Sequence, residues 1–87
     1  MTTWRKMIEN EMSAHNDSFD NIVSQIGETE NWLDINFKNG YGGTEGPPFT
    51  LWTYERVYFP VQYDGSEWVS SVPRNPNGEI TYHVGGG

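Results

Sequence analysis

Hydrophobic positions along the chain change period near Gly40. Before it they recur at helical spacing. Trp4, Met7, Ile8 and Met12 fall close to one face of a helix from about Trp4 to Ala14, with Thr2 or Thr3 as its cap. Glu9 and Glu11 lie off that stripe, toward water. Phe19, Ile22, Val23 and Ile26 then stand at i, i+3, i+4 and i+7, which predicts a second helix. Asp17 or Ser18 caps it, Asp20 adds a negative charge in its first turn, and Gly27 stops it. A third helical segment runs from about Glu30 to Lys38, with Thr29 as its cap. It sets Trp32, Leu33 and Phe37 on one side and ends at Asn39-Gly40. Three helices this short need tertiary support to persist.

After Pro48 the period becomes two. Phe49, Leu51 and Thr53 alternate with Thr50 and Trp52. Val57, Phe59, Val61 and Tyr63 alternate with Tyr58, Pro60 and Gln62, and Trp68, Ser70 and Val72 with Glu67, Val69 and Ser71. These runs predict strands at 49–53, 56–63 and 66–72, with a fourth at 79–84. Asp64-Gly65 fits a type I′ hairpin turn, and Tyr54-Glu55 forms the turn before it. Pro60 cannot donate to a ladder, so it must face an open edge, a bulge or a non-bonded position. The expected architecture is α+β: three short N-terminal helices on one face of a three- to four-stranded antiparallel meander. Residues 1–84 form one domain, helical over 1–39, with a glycine-rich connector at 40–48 and a sheet at 49–84. Residues 85–87 form a flexible tail. Val57, Phe59 and Val61 are expected to meet the helices, leaving Trp52, Tyr58 and Gln62 outward.

Charge narrows the function classes. Twelve acids oppose five bases, a formal net charge of −7. Residues 1–46 hold eight acids and three bases, and residues 47–87 hold four acids and two bases. The acidity therefore sits mainly in the N-terminal half. Such a surface repels nucleic acid and serves solubility first. Its sharper reading is an acidic face, through Glu9, Glu11, Asp17 and Asp20, for a basic protein. The chain has no cysteine, which excludes disulfides and thiolate chemistry. MTTWRKMIENEMS carries no long apolar run, so neither a signal peptide nor a membrane helix is expected, and the location is expected to be cytoplasmic.

Reactive constellations are sparse. The two histidines, His15 and His83, have no nucleophile motif around them, so no catalytic residue and no enzyme activity is expected. Asp17 and Asp20 read as capping and first-turn charges rather than metal ligands, no calcium-loop motif is present, and no cofactor is expected. The glycine-rich stretch lacks the phosphate-loop lysine, and Glu45 would repel phosphate. Aromatic residues make up 15% of the chain, more than a small sheet easily hides. Trp52, Tyr54, Arg56, Tyr58 and Arg74 are of the types enriched at binding hot spots, and they are the candidate contacts for a protein partner. If that side of the sheet is covered by a second copy, the contact becomes a homodimer. A small-ligand or carbohydrate-binding module, stacking on Trp52, Tyr58 and Trp68, is the alternative.

The run GYGGTEGPPFTLWTYERVYFPVQYDGSEWVSSVPRNP, residues 40–76, resembles a small uncharacterised family of proteins encoded on bacterial phages and other mobile elements. The resemblance implies a short, host-directed protein. By analogy with small acidic phage inhibitors, including anti-CRISPR proteins, its partner would be a host defence or nucleic-acid-binding complex, blocked sterically.

Overall fold

A computed structural model of the chain describes residues 1–38, 40 and 46–84. The fold is α+β. One helix, α1 (Trp4–Ala14), is followed by a single 3-10 turn (Phe19–Asn21). A four-stranded antiparallel sheet comes next: β1 (Ile22–Gly27), β2 (Phe49–Thr53), β3 (Arg56–Tyr63) and β4 (Ser66–Pro73). The strands lie in chain order, so the sheet is a meander. Most of the glycine-rich connector, including Tyr41, and the tail at 85–87 fall outside the described residues.

The first helix follows its sequence pattern. Thr3 caps it, its side-chain oxygen accepting from the Lys6 N–H, and Trp4, Ile8 and Met12 are buried along one stripe. Trp4 is the hub of the core. Its ring meets Phe37 at 4.7 Å and Phe49 at 5.1 Å, and its indole N–H donates to the Pro47 carbonyl at 2.8 Å. A buried indole with a bonded N–H leaves no polar group orphaned.

The second and third helices expected from the pattern do not form. Ile22, Val23 and Ile26 match a helical stripe, but all three are β-branched, and a pleated edge suits such residues better than a helix. They lie in β1, which pairs with β2 from Ile22↔Thr53 to Gly27↔Phe49 around a bulge between Ile22 and Ser24. The 3-10 turn, capped by Ser18, is all that remains of the helix. The segment from Glu30 onward makes a turn at 30–34 and then runs out to Phe37, which exchanges two 2.9 Å backbone bonds with Thr2. The turn directs Trp32, and the bridge to Thr2 directs Phe37, into the core. Trp32 stacks on Phe49 at 4.5 Å and 11°. Residues 79–84, expected as a strand, take no regular structure.

The sheet strands stand where the alternation sets them, and Asp64 and Gly65 both have positive φ, as a type I′ turn requires. The facing of the sheet is the reverse of expectation. Tyr58 is fully buried beside Leu51, Phe49 and Val69 under α1, whereas Val57 and Phe59 point away from the helix and are half-buried; Val61, on their side of β3, is buried but stands outside that cluster. The register pairs Trp52 with Val57, so these two share the outer face. Pro60 sits in a central strand, opposite Val69. The two-residue hairpin closes on a bonded pair at Tyr63–Ser66, so alternation makes Pro60–Val69 a non-bonded pair. The nitrogen without a proton then faces β2, and the β2–β3 ladder stops at Leu51↔Tyr58 before reaching it.

Gly27 is required by packing. A Cβ there would overlap the Trp32 indole. Gly27→Ala is expected to cost about 1–3 kcal/mol through overpacking, read as a lower midpoint in chemical denaturation with an unchanged slope.

Candidate functional site

The sheet brings polar chemistry to its inner face and apolar surface to its outer face. On the inner face the central group is Asp17, just before the 3-10 turn. One carboxylate oxygen accepts from the Ser18 N–H at 2.9 Å and the Asn21 amide at 3.0 Å. The other accepts from the Thr53 and Tyr58 hydroxyls, each at 2.7 Å. Burial alone would raise the Asp17 carboxyl, but these donors outweigh it and hold the group below the usual carboxylate range. Burial first, and the facing carboxylate second, push the Tyr58 phenol far above its ordinary value.

A second chain of bonds begins at Arg56, only 5% exposed. Its Nε donates to Ser71 Oγ at 2.8 Å, and its Nη1 and Nη2 form a fork with the Glu79 carboxylate, both at 3.0 Å. Ser71 Oγ donates to Glu11 Oε2 at 2.8 Å, and His15 Nε2 meets the same oxygen at 3.1 Å. The Glu79 carboxylate raises the Arg56 guanidinium against the opposing effect of burial, and Arg56 in turn lowers Glu79. This order matters for chemistry. A nucleophilic triad needs the imidazole between hydroxyl and acid. Here Glu11 stands between Ser71 and His15, so His15 has no path to the Ser71 proton.

An open cleft of about 330 Å³ lies beside this chain, between β4 and residues 79–84, with Glu11, His15, Arg56 and Glu79 on its wall and Trp68 and Ser70 at its β4 side. Arg56 is already paired, so an anion entering the cleft must displace Glu79. Among the described residues, no group of three or more His, Asp and Glu could hold a metal ion, and no buried side-chain nitrogen or oxygen lacks a partner. No helix among them is long and apolar enough to cross a membrane.

The outer face is different in kind. Across the register its first row is Ser24, Trp52, Val57 and Val72. The next row holds Ile26 and Thr50 and, by extension of the Leu51–Tyr58 register, Phe59 and Ser70. The third holds Trp68, half-buried, and Val61, which is buried. None of these positions is charged, and α1 and the 3-10 turn both lie on the other side, so no helix among the described residues covers this face.

The nine residues singled out as partner contacts are therefore dispersed. Trp52 lies half-buried on the outer face. Tyr54, 63% exposed, and Arg74, whose Nη1 donates to the Thr53 carbonyl, flank the β2–β3 turn. Arg56 and Tyr58 are buried within the inner clusters, and Glu11 and Asp17 are bonded there rather than directed at water. Glu9 and Asp20 remain exposed. The residues missed as partner contacts are Phe59, expected to meet the helices, and Trp68, named only for sugar stacking. The strand alternation grouped them correctly, but nothing local decided which group faced inward. No family model matches the chain, and neither a curated protein nor a solved structure matches it.

Tyr58→Phe removes one bond to a carboxylate and is expected to lower stability by about 1.5–3 kcal/mol. Asp17→Ala costs more, because it strands two hydroxyls, and a double-mutant cycle between the two sites gives a coupling of about 1–3 kcal/mol. Asp17 is depressed in the folded state, so its contribution is complete above the unfolded value of about 3.9 and is lost as pH falls through the lower folded value. Asp17→Asn flattens that acid limb in denaturation curves, leaving the part due to Asp34 and Glu79, which are also depressed.

Glu79→Ala removes the fork to Arg56 and should loosen residues 79–84, read as lower backbone order parameters there while those near Leu51 and Tyr58 change little.

Proposed function

We propose that this chain is a non-enzymatic protein-interaction module whose contact surface is the outer face of its sheet. The observation that supports this reading most is the contrast between the two faces. Polar groups on the inner face satisfy one another, whereas the outer face carries two Trp, one Phe and two Val that are half-buried, with Val61 beside them already buried and no charged position. Interface centres are enriched in aromatic residues and depleted of charge in the same way. The partner suited to it is a protein presenting an apolar patch.

The finer expectation, an inhibitor of a host nucleic-acid-binding complex, draws on the charge of −7 and on the resemblance of residues 40–76. It would set a basic partner against Glu9 and Asp20 instead of the outer face. Sugar stacking is less favoured, because Tyr58 is buried on the opposite side from Trp52 and Trp68.

The two surfaces separate by salt. Capture with the wild-type chain, with Phe59→Glu and with the pair Glu9→Gln and Asp20→Asn distinguishes them. The outer-face reading expects partners, copies of the chain included, that survive high salt, persist with the acid-neutralised bait and vanish with Phe59→Glu. Partners retained by Phe59→Glu as well as by wild type overturn it, and partners lost only at high salt or on neutralising Glu9 and Asp20 favour the acidic surface.

A further inference from the structure

We infer that the outer face is built to receive a second copy of this chain, docked sheet to sheet across Phe59. This rests on the reading of that face as a protein-binding surface and names its occupant.

Charge is the first argument. At a net charge of −7, two copies repel one another over most of their surfaces. Like charges set directly opposite each other across an interface are strongly unfavourable. The outward positions of all four strands carry no charge, so this face brings two copies together without that opposition.

Geometry is the second. Phe59 occupies the centre of the face on β3. Trp52 lies one strand and one row away on β2, and Trp68 one strand and one row away on β4, on the opposite diagonal. A two-fold axis in the interface plane, crossing that diagonal over Phe59, sets Phe59 against its own copy. It also sets Trp52 of each chain opposite Trp68 of the other. Such an isologous contact asks one patch to complement itself. The short side chains of Thr50 and Ser70 flank Phe59 within its row and leave room for the facing aromatic ridge.

Size is the third. Four strands about 4.8 Å apart, with about six residues each at about 3.4 Å, give a flat footprint of about 400 Å². Two copies facing each other over that footprint bury about 800 Å², the size of a weak, reversible contact. Ile26, 64% exposed on the β1 margin, extends the apolar area further. Face-to-face packing of two such sheets is a standard layer arrangement, about 10 Å thick.

The test is sedimentation of the purified full chain up to about 100 µM. The expected result is a reversible dimer, which Phe59→Glu converts to a monomer with an unchanged far-ultraviolet spectrum. Should Phe59→Glu fail to fold, Ser70→Glu introduces a charge beside Phe59 without removing apolar contact. It is expected to weaken association by about a hundredfold, since the charge appears twice across a two-fold. Acrylamide quenching of tryptophan in the wild type should also fall as concentration rises. A wild type that remains monomeric overturns the inference, as does a dimer that both variants leave intact. A monomer whose capture of another protein is nevertheless lost in Phe59→Glu overturns the second copy while leaving the protein-binding reading standing.

Discussion

The carboxylate of Asp17 decides which side of the sheet meets the helix. A phenol can be buried only where its hydroxyl finds an acceptor. Asp17 provides one to Tyr58 and to Thr53 at once, from a turn anchored by Ser18 and Asn21. With Tyr58 drawn inward, strand alternation leaves no choice for its neighbours: Leu51 goes in with it, and Val57, Phe59 and Trp52 go out. The same bonds tie the end of the helical region to β2 and β3. The short 3-10 turn thereby acts as a fixed clamp rather than as a failed helix.

An unusual distribution of chemistry follows. The interior of this small domain is amphipathic, with an aromatic cluster around Trp4, Trp32, Phe37 and Phe49 at one end and hydrogen-bonded acids and hydroxyls at the other. Leu51 and Val69 join the core, while Val57 and Val72 lie half-buried on the outside. Small domains bury a limited share of their surface, and placing valines and tryptophans outward reduces it further. Covering the outer face would recover apolar burial that the fold forgoes.

Local pattern carried the fold a long way. The Trp4–Ile8–Met12 stripe, its Thr3 cap, the Asp64-Gly65 turn and the bounds of three strands are all properties of neighbouring residues, and all were legible. β1 was misread because Ile22, Val23 and Ile26 satisfy helical spacing while their branching favours a strand. Only the β2 edge, more than twenty residues away, decides between the two. The segment at 30–38 was misread for a similar reason: its apolar residues are spaced for a helix, but each reaches a different part of the core. The candidate contacts failed at a single point. Alternation separates Tyr58 from Phe59, yet the inward choice depends on Asp17, which had been assigned to a helix cap. A buried-acceptor requirement for a strand tyrosine, set against an acid in a turn, is the signal that could have found it.

The facing of the sheet is most directly measured by the accessibility of adjacent rings on β3. A soluble paramagnetic probe added to dilute protein should leave the Tyr58 ring resonances sharp and broaden those of Phe59, with the Phe59 effect diminishing as protein concentration rises. Broadening of Tyr58 with protection of Phe59 in dilute solution would contradict the account, because it would mean that the helix covers Val57, Phe59 and Val61 and that Asp17 does not orient the sheet.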